Sequence, residues 1–127
     1  MTSRMPRMRL SSTVRVVTDQ VGRPTATADL AGAIVALLDR GAEGIVHFAN
    51  SGEVSWNEFA REIFRQSGYG RIEVAPITSG ELGRPAHRPA YSVLSTRKYE
   101  LLTGKTPRDF RLPLAEYLAR RSAAPLA

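Results

Sequence analysis

Cysteine is absent from the sequence, histidine occurs twice, and no long hydrophobic run is present. The lack of cysteine excludes a disulfide scaffold, a thiolate zinc site and a thiol nucleophile. His47 and His87 have no acidic neighbours at ligand spacing, so we expect no metal site. We expect His47 at a core or edge position and His87 in a surface loop. No apolar stretch approaches the roughly 20 residues that cross a bilayer, which excludes a membrane-spanning helix.

The chain has 127 residues, of which 43% are hydrophobic and 24% are charged, a composition typical of a single folded domain. We expect an unstructured basic arm at residues 1–13, an α/β domain at residues 14–121 and a frayed tail at residues 122–127.

Basic residues outnumber acidic residues by 18 to 12, but the excess is uneven. Residues 1–17 hold four bases and no acid, residues 18–83 hold five bases and nine acids, and residues 84–127 hold nine bases and three acids. An arginine-rich nucleic-acid-binding protein is therefore one alternative, which the acidic middle region disfavours.

Hydrophobic periodicity and turn residues predict alternating strands and helices. The apolar helix that follows Thr27 is expected to be buried between two layers. The sequence predicts these elements in order: a strand from Thr13 to Thr18, a helix from Thr27 to Gly41, a buried strand at Gly44–Ala49, a helix with a Ser55–Glu58 capping box, a strand at Arg71–Ile77, a turn at residues 78–80, a short helix capped by Ser95 and ending at Gly104, and a final helix opened by Pro113.

Two loops combine arginine, proline and hydroxyl groups: DQVGRPT, which begins at Asp19, and RPAHRPAYS, which begins at Arg84. Arg84 and Arg88 each precede a proline, which keeps their backbone extended. Guanidinium groups bind a diphosphate through paired hydrogen bonds, and Gln20 and Thr25 offer polar groups to a sugar or base. These loops suit an anionic ligand; the alternative is that their arginines are solvated surface groups.

Three blocks of the sequence, which begin at Val14, Gly44 and Val74, contain the motifs of interest: VRVVTDQVGRPTATADLAGAI, GIVHFANSGEVSWNEFAREIF and VAPITSGELGRPAHRPAYSVLSTRKYELLTG. In this order and spacing, from about Val14 to Arg120, the blocks resemble the C-terminal part of the dTDP-4-dehydrorhamnose reductase family. The resemblance implies an α/β fold, the C-terminal substrate-binding part of an extended short-chain dehydrogenase/reductase. It implies about four helices and three to four short strands, without the N-terminal dinucleotide-binding half.

The family reduces dTDP-4-dehydro-6-deoxy-L-mannose with NADPH to dTDP-L-rhamnose. This sequence contains neither the family's glycine-rich cofactor loop nor its catalytic Tyr-x-x-x-Lys pair; Tyr117 is followed four residues later by Arg121. We therefore expect the chain to be inactive alone, with no catalytic, metal-binding or cofactor-binding residue of its own, while NADPH belongs to the full-length family.

The resemblance implies four substrate-binding residues. Arg88 matches the arginine of the family's R-P-x-Y-S-x-L element, and Arg84 matches the R-P-x-H element of related nucleotide-sugar dehydratases. Gln20 and Thr25 match the DQ-x-G-x-PT loop, which borders the substrate cleft. For Arg84, Gln20 and Thr25 a purely structural role is an equal alternative.

The expected partners are a dTDP-sugar and either a second copy of the chain or a missing dinucleotide-binding half, in the cytoplasm. A non-catalytic nucleotide-sugar-binding or regulatory subunit of the same fold is the main alternative.

Overall fold

The computed structural model of the protein describes residues 12–123. Along this range the elements are β1 (Thr13–Val17), β2 (Val21–Gly22), α1 (Thr27–Asp39), β3 (Val54–Ser55), α2 (Trp56–Gln66), β4 (Glu73–Ile77), α3 (Ser79–Leu82), α4 (Arg97–Thr103) and α5 (Arg111–Ala123). This mixed α/β arrangement confirms the predicted fold class, with the short α3 as an additional helix. None of these helices is long and apolar enough to cross a bilayer. Most of the predicted arm and tail, residues 1–11 and 124–127, lies outside the described range.

Strands β1 and β4 form a parallel pair that supports the main core. The register aligns Val17 with Ile77, and both side chains are buried together with Val74. Helix α2 packs against both strands. Its buried Asn57 donates an amide hydrogen bond of 3.1 Å to the backbone oxygen of Val16, so α2 is tied to the sheet by a polar contact as well as by apolar packing.

Strands β2 and β3 form a second, antiparallel pair, in which Val21 faces Ser55 and Gly22 faces Val54. Ser55 also caps α2: its Oγ accepts the Glu58 N–H at 3.1 Å, and the Glu58 carboxylate accepts the Ser55 N–H at 3.2 Å. The predicted capping box is confirmed. Because β3 leads directly into α2, the pair fixes the start of this helix beside the loop that carries β2.

The turn before β3 requires glycine at position 52. Gly52 has a φ of +100°, and a Cβ atom there would lie 2.8 Å from Cδ1 of Phe110. The Phe110 ring is 2% exposed and packs edge-on against Phe59 with 5.7 Å between centroids. Phe110, the residue before α5, is therefore packed between the Gly52 backbone and the Phe59 ring of α2.

Helix α1 is far less buried than its apolar sequence predicts. Only Ala33 is buried, whereas Ile34, Val35 and Leu38 are 49, 57 and 72% exposed. Helix α4 is its main neighbour. The prediction of a helix buried between two layers is wrong because, within residues 12–123, a second layer does not cover its outer face.

Residues 44–49, the sequence GIVHFA, do not form the predicted strand. Their backbone forms no hydrogen bond to the backbone of another residue in the described range. A strand requires a hydrogen-bonded neighbour, and none lies beside this segment. Ile45 is 77% exposed and His47 is also exposed and lies outside any strand, so the expectation of His47 at a core or edge position of a buried strand is wrong.

Several helix starts differ from the predicted positions. Ala26, not Thr27, occupies the cap position of α1. Thr96 occupies that of α4, and the predicted cap Ser95 instead accepts the Arg97 N–H at 3.4 Å. Helix α5 begins two residues before Pro113. Each shift is only one or two residues. Such shifts occur because helix ends depend on backbone partners that the local sequence specifies only in part.

The predicted turn at residues 78–80 instead opens helix α3. Thr78 Oγ1 accepts the Glu81 N–H at 3.2 Å, and the Glu81 carboxylate accepts the Thr78 N–H at 3.4 Å. This second capping box places Ser79 at the first helical position.

Candidate functional site

One cavity of about 1040 Å³ brings the two predicted loops together. Its walls come from the loop around β2, the start of α2 and the segment from α3 to residue 94. All four predicted substrate-binding residues line it: Gln20, Thr25, Arg84 and Arg88. Since the first pair and the second pair are far apart in the sequence, the cavity is assembled by the tertiary fold.

The charged side chains around this cavity are basic. Its described lining contains four arginines and His87 but no Asp or Glu; the arginines are Arg15, Arg23, Arg84 and Arg88. Arg84 and Arg88 are exposed, and their guanidinium groups form no hydrogen bond or ion pair with residues 12–123. A wall of this composition attracts an anion, because the lining itself has no carboxylate and Arg84 and Arg88 have no carboxylate partner among residues 12–123.

Arg15 and Arg23 are already engaged by the protein. Arg15 Nη2 lies 3.8 Å from the Glu81 carboxylate. Arg23 Nη1 donates to the backbone oxygen of Leu94 at 3.0 Å, and Arg23 Nη2 lies 3.7 Å from Glu53. Of the four arginines, Arg84 and Arg88 are therefore the two without a hydrogen-bond or ion-pair partner among residues 12–123.

Gln20 is held at the cavity by the start of α3. Its Nε2 donates to Ser79 Oγ at 3.0 Å. The carboxylate of the preceding residue, Asp19, accepts the Ser79 N–H at 2.9 and 3.0 Å and the Ser79 hydroxyl at 2.7 Å. These bonds, the backbone N–H first, hold the pKa of Asp19 below its usual value. The amide nitrogen of Gln20 thus has a structural contact, and its amide oxygen accepts no hydrogen bond from the described residues.

Thr25 also has structural contacts. Its hydroxyl donates to the Arg23 backbone oxygen at 3.2 Å and accepts the Asn50 N–H at 3.2 Å. The neighbouring Ala26 N–H donates to Asn50 Oδ1 at 2.8 Å. The Asn50 side chain therefore accepts a backbone N–H at the start of α1, as a capping side chain would. Its backbone N–H also holds the Thr25 hydroxyl and so fixes the loop that carries Thr25.

Asn50 is fully buried and belongs to a polar network behind the cavity. Its Nδ2 donates to Asp29 at 2.7 Å and to the Arg108 backbone oxygen at 3.3 Å. The Arg108 guanidinium in turn binds both Asp29 and Glu116. Hydrogen bonds from Arg108 lower the pKa of Asp29 and of Glu116, so both carboxylates are ionised at neutral pH and the network is charged.

Apolar and aromatic groups form the rest of the cavity wall. Phe48 and Phe59 are half-buried, whereas Trp56 is 55% exposed. The cavity thus combines unpaired guanidinium groups with aromatic surface, which suits a ligand that has both an anionic and a flat apolar part.

The sequence-based search for a site missed Trp56, Ser79 and Asn50. Trp56 has helical spacing from the apolar residues Phe59 and Ile63, which favours a place on the packed face of α2, although a residue at the first helical position need not share the face of later turns. Ser79 follows a Thr78-x-x-Glu81 capping signature that was available in the sequence. Asn50 carries no local signal, because its partners lie on distant segments. Across residues 12–123, no cluster of three or more His, Asp or Glu side chains has the geometry to hold a metal ion.

Comparison with known proteins identifies one matching family model and several related proteins. The family model described as RmlD substrate binding domain matches residues 2–123. The spore coat polysaccharide biosynthesis protein SpsK of Bacillus subtilis is 47% identical over 111 residues, which cover 87% of this chain and 38% of that protein. The dTDP-4-dehydrorhamnose reductase of Mycobacterium tuberculosis is 46% identical over 108 residues, which cover 84% of this chain and 35% of that protein.

Solved structures give the same result. A dTDP-4-dehydrorhamnose reductase from Clostridium acetobutylicum matches with a TM-score of 0.83 and 41% identity, over 88% of this chain and 40% of that one. The dTDP-4-dehydrorhamnose reductase from Bacillus anthracis, solved in complex with NADP, matches with a TM-score of 0.76 and 32% identity, over 87% of this chain and 38% of that one. The chain therefore spans well under half the length of the relatives it matches.

Proposed function

Because the chain belongs to the RmlD substrate binding domain family, we propose that its cavity binds the nucleotide part of a dTDP-linked sugar. The observation that carries the proposal is the lining itself, which has four arginines and no carboxylate among its described residues. A sugar nucleotide carries a diphosphate, and paired guanidinium donors bind phosphate oxygens strongly.

Arg84 and Arg88 are the proposed phosphate ligands. They lie on one exposed loop, each before a proline, and their donors are unengaged within residues 12–123. Gln20 and Thr25 are proposed to border the sugar or base. Their side chains line the same cavity but are partly occupied by Ser79 and Asn50, so their contribution is to shape the cavity wall as well as to contact the ligand.

Calorimetry with dTDP tests this assignment. We expect saturable binding that weakens at least about tenfold in Arg88→Ala and in Arg84→Ala, because each loses charge-assisted hydrogen bonds to phosphate. Arg71→Ala is the matched control, since Arg71 is an exposed arginine in a turn outside the cavity. No heat with dTDP, or an equal loss in the control, would contradict the proposal.

The reaction proposed for this domain, together with a dinucleotide-binding half, is the reduction of dTDP-4-dehydro-6-deoxy-L-mannose to dTDP-L-rhamnose. NADPH would supply the hydride. The residues described here do not fit that cofactor: the turn that leads into α1 is Arg23-Pro24-Thr25-Ala26 instead of a glycine-rich turn, and its Ala26 N–H is already bonded to Asn50. The contribution of this chain is to bind and orient the nucleotide sugar.

The chain alone is expected to be inactive. The measurement is NADPH oxidation in the presence of the 4-keto sugar nucleotide, with and without an added dinucleotide-binding half from a relative. Turnover by the chain alone, above the rate without protein, would overturn this part of the proposal. Ligand binding without turnover in the presence of the added half would instead favour the alternative, a non-catalytic binding or regulatory subunit.

A protein partner belongs to the same proposal. Ile34, Val35 and Leu38 of α1 are exposed, and so is Ile45 in the segment at residues 44–49, which leaves apolar surface that the described residues do not cover. A second copy of the chain or a separate dinucleotide-binding half would bury it, which is favourable because apolar area leaves water. Light scattering at increasing concentration is expected to show self-association, or complex formation once the added half is present. A monomer under both conditions would count against a partner.

A domain over residues 14–121 and a cytoplasmic location are further parts of this proposal, although β1 begins one residue before these bounds and α5 ends two residues after them.

A further inference from the structure

Trp56 is the only tryptophan of the chain, and it is an exposed aromatic residue in the lining of the cavity. It is 55% exposed, whereas the other aromatic residues in the described lining, Phe48 and Phe59, are half-buried. Covering an indole that is this exposed to water with a flat apolar group is favourable, because both groups then remove apolar surface from water.

The backbone of Trp56 is held firmly. It is the first residue of α2, directly after the Ser55 cap, and its N–H donates to the Gln20 backbone oxygen at 3.3 Å. The Phe59 ring lies 6.3 Å from the indole, centroid to centroid, at an angle of 54°. The indole is therefore backed by a second ring and anchored beside the loop that carries Gln20.

The same cavity contains both this indole and the unengaged guanidinium groups of Arg84 and Arg88. A nucleotide has the matching pair of features, because its base has a π face and its phosphates are anionic. Aromatic side chains commonly provide the stacking surface for a base. We propose that Trp56 is the platform on which the nucleobase of the bound nucleotide stacks; this inference rests on the proposed function.

Fluorescence of the single tryptophan reads this contact directly. Titration with dTDP is expected to quench the Trp56 emission saturably, at the same concentrations at which calorimetry reports binding. N-acetyltryptophanamide titrated in parallel corrects for light absorbed by the base. Inorganic pyrophosphate, which has the diphosphate but no base, is expected to leave the emission unchanged. Equal quenching by pyrophosphate would overturn the inference, because the indole would then be responding to the phosphates.

Variants test the energetic contribution. Trp56→Ala is expected to weaken dTDP binding about 5- to 100-fold, the effect of losing one stacked base, whereas Trp56→Phe keeps most of the affinity. Tyr117→Ala is the control, because Tyr117 is 52% exposed on α5 and lies outside the cavity. Thermal unfolding of each variant verifies that the fold is retained.

The two proposals fail in different ways. If dTDP binds with a dependence on Arg88 but Trp56→Ala binds as tightly as the native chain, the stacking inference is wrong and the proposed function stands. If dTDP produces neither heat nor quenching, both are wrong.

Discussion

Arg108 binds Asp29 through two parallel hydrogen bonds, from Nε to Oδ2 and from Nη2 to Oδ1, each 2.9 Å long. The same guanidinium donates to Glu116 at 2.7 and 2.8 Å. One cation therefore links the first turn of α1 to the middle of α5. This relationship also orients the Asp29 oxygen that accepts the Asn50 amide behind the cavity.

Removal of this guanidinium is expected to destabilise the fold. Arg108→Ala leaves two carboxylates close together without their shared cation, so we expect the free energy of unfolding to fall, by an amount that the partial exposure of the pair reduces. Urea unfolding measures the change. Arg71→Ala, the exposed control, should lie within about 0.5 kcal/mol of the native chain; an equal loss in both variants would contradict the prediction.

Acid should weaken the same link. Hydrogen bonds from Arg108 hold the pKa of Asp29 below its usual value, while an unfolded Asp titrates near about 3.9. The stabilisation from ionised Asp29 is therefore complete above that value and is lost as the pH falls through the folded-state pKa. We expect the difference in unfolding free energy between the native chain and Asp29→Asn to shrink below about pH 4.

Glu62 complicates this measurement, because its hydrogen bond from Arg65 lowers its pKa to about 2. Both chains should therefore carry Glu62→Gln, which removes that titration. A difference between the two that stays constant from neutral to acidic pH would show that the Asp29 charge does not contribute to stability.

Asn50→Ala should cost more than a typical surface change. The fully buried amide accepts the Ala26 N–H and donates to Asp29 and to Arg108. Its loss leaves buried groups without partners, at about 2 to 4 kcal/mol. Asn50→Asp keeps an acceptor for Ala26 but places a second carboxylate against Asp29, so we expect its stability relative to the native chain to improve as the pH is lowered. Urea unfolding at two pH values measures both variants, and native-like stability of Asn50→Ala would refute the role.

Replacing glycine by alanine is expected to have opposite effects on stability at positions 52 and 32. Gly52→Ala places a Cβ 2.8 Å from the Phe110 ring at a φ of +100°, so we expect a loss of at least about 1 kcal/mol. Gly32 lies inside α1, and an added Cβ there meets nothing within 4 Å. Gly32→Ala should therefore gain up to about 1 kcal/mol from helix propensity. Thermal unfolding distinguishes them, and a shift of the same sign in both would be contrary to this account.

Local signals predicted the elements whose partners are close in sequence. The capping box of Ser55 and Glu58 spans three residues, and Gly104 ends α4 in the left-handed conformation at a φ of +68°. Both features depend on backbone geometry that a few neighbouring residues determine, so the sequence alone was sufficient.

Elements that need distant partners were predicted less well. GIVHFA at residues 44–49 has the composition of a buried strand, but a strand also needs a neighbour, and the described chain has none there. The exposure of Val35 and Leu38 in α1 has the same origin. A partner of the kind proposed above would cover these apolar side chains, and the described residues do not supply that layer.

The sequence predicted the candidate site as two separate loops, and the fold explains why both loops line the same cavity. Ser79 donates hydrogen bonds to Asp19 and accepts one from Gln20, and these bonds bring the first loop beside the segment that leads to Arg84 and Arg88. Nothing in either loop indicates this contact, because it depends on the pairing of β1 with β4.

That pairing also bears on how quickly the protein acquires its native state. Parallel neighbours such as Thr13 and Glu73 are 60 positions apart along the chain, and the entropy of closing so long a loop must be lost before the contacts between the strands compensate for it. Helices α1 and α2 lie within that loop and form on local contacts. We therefore expect the cavity, whose two walls are brought together by this pairing, to form late during folding.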